Sequence, residues 1–172
     1  MSAGARGFAA AMVVLSLVAC ADIGALDRLT EREPDPTRAR AERRLALASA
    51  YYAQGQDEVA RQEARAALQI DPRYAQAYSL IGLIHARQQA SALAEESFVQ
   101  ALALAQEAGT PRAQRAAIEH NYGWFLCQRN RRDEGQVQLQ RALAEPGYAR
   151  ADMTRHVLTQ CQLGQNETHH ER

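Results

Sequence analysis

Tyr78-Ser79-Leu80-Ile81-Gly82-Leu83-Ile84-His85, followed downstream by Ala94, Phe98 and Ala101, is the stretch on which the fold turns. Tyr78, Ile81, Gly82 and His85 stand three and four residues apart, so they share one face of a helix. A glycine inside a helix costs roughly 1 kcal/mol relative to alanine. Gly82 therefore makes sense where a second helix must come close. Ala94 and Phe98 repeat the small-then-large pattern on a following helix. The same pattern recurs upstream as Arg44-x2-Leu47-Ala48-x2-Tyr51, then Ala60-x3-Ala64 and Pro72. Ala48 to Gly82 is 34 residues (82 − 48). Downstream it returns as Glu119-x2-Tyr122-Gly123-x2-Leu126, then Gly135-x3-Leu139 and Ala142, with Gly82 to Gly123 spanning 41 (123 − 82).

This spacing resembles the tetratricopeptide repeat (TPR), whose units are antiparallel helix pairs A and B with a period of 34 residues. It predicts an all-α TPR solenoid of about three helical hairpins plus a C-terminal capping helix. The first A helix is expected over about 39–54, with Gly55 in the turn, and the first B helix over about 57–70. Asp71 is then the N-cap of the next helix and Pro72 lies in its first turn. The seven extra residues in the 41-residue interval fall at 106–112, where Gly109-Thr110-Pro111 interrupts the helix. Seven residues are about two helical turns, which predicts a longer second B helix, a longer third A helix, or both. A last A-type helix over about 148–163 has no B partner and caps the stack. The domain is read as 38–163 and the polar stretch 164–172 as a flexible tail.

The N-terminus reads as a targeting segment. Arg6 precedes an apolar or small run from Phe8 to Ala19, too short to span a bilayer but suited to a signal peptide. Leu17-Val18-Ala19-Cys20 resembles the bacterial lipobox. That resemblance implies a signal peptide over 1–19 and a mature chain beginning at Cys20, lipidated on its sulfur and its new amine with fatty acyl groups such as palmitate. Two acyl chains hold a protein on a membrane without a spanning helix. Ala21, in place of the aspartate that retains enterobacterial lipoproteins on the inner membrane, points to the periplasmic face of the outer membrane. Residues 20–37, with Pro34 and Pro36, are read as a tether.

Cys127 and Cys161 fall late in the third and fourth A helices, which neighbour each other in a TPR stack. An exported chain meets an oxidising compartment, so a Cys127–Cys161 disulfide is expected; two free, buried thiols are the alternative. Formal charge is zero, from 20 basic and 20 acidic residues, and no basic stripe supports nucleic-acid binding. All the basic residues are arginine. Phosphate-binding, dinucleotide, zinc-protease and nucleophile-elbow motifs are absent. His85 takes a packing position of the repeat, and His169-His170 lie in the tail. Neither an enzyme nor a cofactor, metal site or small-molecule substrate is expected.

A TPR stack binds partners along its A helices. The expected groove is Leu45, Ser49, Tyr52, Gln76, Ser79, Leu83, His120, Trp124 and Gln128, with Trp124 either an anchor for a guest or packed between repeats. It lacks the Lys/Asn cluster with which chaperone-binding TPR domains clamp a terminal carboxylate. A helical or extended peptide with apolar anchors is the expected guest. Asn121-Tyr122-Gly123-Trp124-Phe125-Leu126-Cys127, after the lipobox and two TPR units with an extended junction, resembles the type IV pilus biogenesis lipoproteins of the PilF/PilW family. The resemblance runs from Cys20 to about Leu163. It implies a pilotin, a lipid-anchored adaptor that helps the pilus secretin reach the outer membrane and assemble. A general periplasmic TPR scaffold of another envelope assembly is the alternative. Members of that family carry more TPR units than this chain, so the resemblance implies a shortened version.

Overall fold

A computed structural model describes residues 35–107 and 110–170, with side chains to Leu163. The expected signal peptide and Cys20 lie outside the described residues, as does most of the tether. Among the described residues there are seven helices and no strand: α1 (Pro36–Ala53), α2 (Asp57–Ile70), α3 (Ala75–Arg87), α4 (Ser91–Gln106), α5 (Arg112–Gln128), α6 (Arg132–Leu143) and α7 (Ala151–His170). Helices α1/α2, α3/α4 and α5/α6 form hairpins. In addition α1 packs on α3, α3 on α5 and α5 on α7. A helices are thus stacked side by side, each backed by its own B helix except α7. This is a TPR solenoid of three hairpins with one further A-type helix.

Small residues make the close crossings. Ala60, Ala64 and Ala67 are fully buried along one face of α2, and Ala48 of α1 meets Ala60 and Ala64 in one cluster with Ile81 and Ile84 of α3. In the second hairpin Phe98 lies over Gly82, stacks at 5.5 Å on Tyr122 and meets Phe125 of the same next A helix in a tilted contact at 5.4 Å. Phe98 is fully buried, and burying such a side chain contributes about 2–3 kcal/mol. Each large residue therefore joins consecutive repeats as well as the two helices of its own hairpin.

Several boundaries differ from the sequence reading. Helix α1 begins at Pro36, inside the expected tether, because Asp35 caps it: the Thr37 amide donates to the Asp35 carboxylate at 2.9 Å. Proline fits the first helical position, where no amide hydrogen is needed. Asp71 does not cap α3. Its carboxylate accepts from the Arg73 amide (3.0 Å) and the Arg38 guanidinium (2.8 Å), so Pro72 sits in a turn and α3 starts at Ala75. Beside the seven-residue insertion α4 has 16 residues against 14 in α2, and α5 has 17 against 13 in α3, while α1, extended to Pro36 by its Asp35 cap, has 18. Helix α7 starts later than expected and its backbone remains helical to His170, through most of the stretch read as a frayed tail.

Candidate functional site

A cavity of about 330 Å³ opens along the A helices. Helix α1 contributes Leu45, Ser49 and Tyr52, each about one turn from the next. Helix α3 contributes Gln76, Ser79, Leu80 and Leu83. Helix α5 adds Ala117, Ile118 and Asn121, and Arg150, just before α7, closes one end. Six of the nine residues expected in the groove are brought together here: Leu45, Ser49, Tyr52, Gln76, Ser79 and Leu83.

The walls are held by contacts outside the cavity. The Arg87 guanidinium lies 3.7 Å from the centre of the Tyr52 ring, donates to Asp57 Oδ2 at 2.9 Å and to the Tyr52 carbonyl at 2.9 Å. This cation–π contact fixes the ring against the groove wall. Across the floor, Asn121 Nδ2 donates to Ser79 Oγ at 3.1 Å, linking α3 to α5.

His120, expected in the groove, is not there. It is buried, and its Nδ1 lies 2.8 Å from Thr154 Oγ1 of α7. Ser79 and His120 hold the same repeat position (120 − 79 = 41). That position is the flank turned toward the next A helix, so α5 covers Ser79 and α7 covers His120. On α5 the lining falls to Ala117, Ile118 and Asn121, the last being the next residue after His120 and the repeat counterpart of Leu80. Burial, with the Arg150 charge adding to it, lowers the His120 pKa to about 4. Trp124 and Gln128 lie outside the cavity lining. They continue the α5 stripe of Ala117 and Asn121 at helical spacing, Trp124 half-buried and Gln128 exposed. Arg150 escaped sequence reading because it stands in a turn, where no helical register applies. Cys127 and Cys161 lie on α5 and α7 and are bonded, with Cα atoms 5.5 Å apart.

A larger opening, about 540 Å³, lies at the hairpin ends beside Arg38, Asp71, Arg73 and Glu107. Four of its charges meet one another in the Arg38–Asp71 and Arg73–Glu107 pairs. Among the described residues no three His, Cys, Asp or Glu side chains gather into a metal-holding group, and no helix is long and apolar enough to cross a membrane.

Residues 48–89 match the family model described as TPR repeat. No curated protein sequence matches the chain. Two solved structures are similar. One is PilW, described as a widely conserved type IV pilus biogenesis factor (TM-score 0.64, 29% identity, covering 74% of this chain and 55% of that one). The other is PilF of Pseudomonas aeruginosa (TM-score 0.67, 27% identity, covering 75% of this chain and 55% of that one). The stacked hairpins and the groove along their A helices make the chain a TPR-repeat protein. Within that class its fold is similar to those of PilW and PilF, and it spans about half the length of those two solved relatives.

Proposed function

We propose that this chain is a type IV pilus biogenesis lipoprotein: a pilotin, anchored through acylated Cys20 on the periplasmic face of the outer membrane, that holds the secretin subunit in its A-helix groove. The single observation that carries the binding role is the cavity itself. Residues from three successive A helices and one turn converge on it, its apolar walls are Leu45, Tyr52 and Leu83, and its charges include no catalytic pair. A concave, mostly apolar lining with a few polar groups is what a peptide anchor requires. The similarity to PilW and PilF supports the pilus assignment. The lipobox-like Leu17-Val18-Ala19-Cys20 supports the anchor. Trp124, half-exposed on the same α5 stripe, extends the contact surface beyond the cavity.

The test is binding of purified secretin to the full chain, paired with secretin multimer levels in a deletion strain. Binding is expected, weakened about tenfold or more by Trp124→Ala, a loss typical of an interface anchor. Deletion is expected to deplete multimers. Normal multimers and no binding would remove the secretin and leave the general scaffold of another envelope assembly.

A further inference from the structure

Arg150 is the one charged residue lining the groove. Arg38, Arg87 and Arg131, by contrast, are each tied to a carboxylate of a neighbouring helix or turn. Among the described residues no carboxylate pairs with Arg150. Its Nη2 donates only to the Ala117 carbonyl, at a long 3.4 Å, and its guanidinium carbon stands 5.9 Å from the Tyr148 ring centre. The group is half-buried, so part of its hydration is lost without a charged partner in return. Its titratable neighbour, His120, stays neutral above pH of about 4 and offers no negative charge. The remaining lining is apolar (Leu45, Tyr52, Leu83) or neutral and polar (Gln76, Asn121).

A planar guanidinium with free donors at the end of an apolar trough matches an oxyanion held by paired N–H donors, and in a groove that takes a peptide that oxyanion is a carboxylate. We infer that the groove selects peptides in which an apolar side chain is followed closely by a carboxylate, the apolar group filling the cavity between Leu45 and Leu83 and the carboxylate pairing with Arg150. The carboxylate can come from an Asp or Glu side chain or from a chain terminus. The inference rests on the groove reading proposed above and adds the partner's chemistry to it. It does not require the secretin to be the source.

A displayed random-peptide library selected on the full, disulfide-intact chain tests this. The recovered consensus is then made as synthetic peptides with Glu or Asp, with Gln or Asn in their place, and with a free or amidated C-terminus. Recovered peptides are expected to carry an acid beside an apolar anchor. Exchanging that carboxylate for an amide is expected to weaken binding about tenfold, in line with a charge-assisted hydrogen bond. In Arg150→Gln that acid-versus-amide difference disappears, while Arg150→Lys retains part of it. Loss on amidating the terminus alone assigns the terminal carboxylate; loss on the side-chain exchange alone assigns Asp or Glu. Ser49→Trp, at an exposed lining position, blocks the groove and serves as the control. Should acid and amide peptides bind equally and Arg150→Gln be silent while Ser49→Trp abolishes binding, the carboxylate inference is overturned and the groove stands. Recovery of no peptide, or binding indifferent to Ser49→Trp, overturns both.

Discussion

A methyl group added to Gly82 would stand 2.9 Å from Phe98 Cε1, and Phe98 has no room to retreat because it is fully buried against Tyr122 and Phe125. Overpacking of this kind costs about 1–3 kcal/mol. It outweighs the roughly 1 kcal/mol that alanine gains over glycine in a helix. Gly82→Ala is therefore expected to lower the denaturation midpoint; an unchanged or raised midpoint would show that Phe98 can move. Gly123 is placed the same way, with Gly135 O and Leu139 Cγ each 2.8 Å from an added Cβ. These glycines were legible because a helical glycine at a repeat position has few other reasons to be there. The turns between A and B helices were less so. Gly55, Gln89 and Asn130 all adopt left-handed backbone, with φ of 77°, 62° and 62°, at the same spacings of 34 and 41 as the helices. Gly55 and Asn130 announce themselves, since glycine and asparagine favour that conformation, whereas Gln89 carries no local signal for it.

Helices α5 and α7 meet through a buried polar pair. The Thr154 hydroxyl donates its one proton to the Arg150 carbonyl at 3.0 Å, so His120 Nδ1 must carry the proton it shares with Thr154 Oγ1. A second proton, on Nε2, is opposed by burial and then by Arg150, which is why the pKa drops from 6.5 to about 4. Between those values the unfolded imidazole holds a proton that the folded one does not, so unfolding takes up a proton and acid favours it. The stability contributed by neutral His120 is full above pH 6.5 and is lost as pH falls toward about 4. Burial raises the pKa of Glu119 on the same helix, with Arg115 opposing, and this acts in the opposite direction. Melting temperatures of wild type and His120→Gln across this range separate the two. The fall on acidification is expected to be steeper in wild type, and parallel curves would refute the buried-neutral assignment. Element types and hairpin pairing could be read from the 34-residue period. Which flank of α5 faces the groove could not, because that depends on α7 covering the other.

At the scale of the molecule, each helix of the solenoid is held only by its neighbours, so an end unit opens more easily than the middle. Helix α7 packs on α5 and α6, and among the described residues no B helix backs it. The Cys127–Cys161 bond closes a 34-residue interval, which on the chain-entropy model is worth roughly 4 kcal/mol. Reduction is expected to lower the melting temperature and to speed amide exchange across 151–163 before the rest. Uniform exchange in the reduced protein would show that α7 is held without it.

Periodicity alone determined the class of this protein. Small residues recurring at a fixed interval dictate that paired helices nest, and nesting pairs stack, because the apolar face of one hairpin is buried only by the next. The position of His120 and Asn121, the capping of α1 by Asp35, and the lone guanidinium of Arg150 at the groove's end were decided by tertiary structure. Each depends on what a distant segment covers or leaves open, and no local pattern of side chains encodes that.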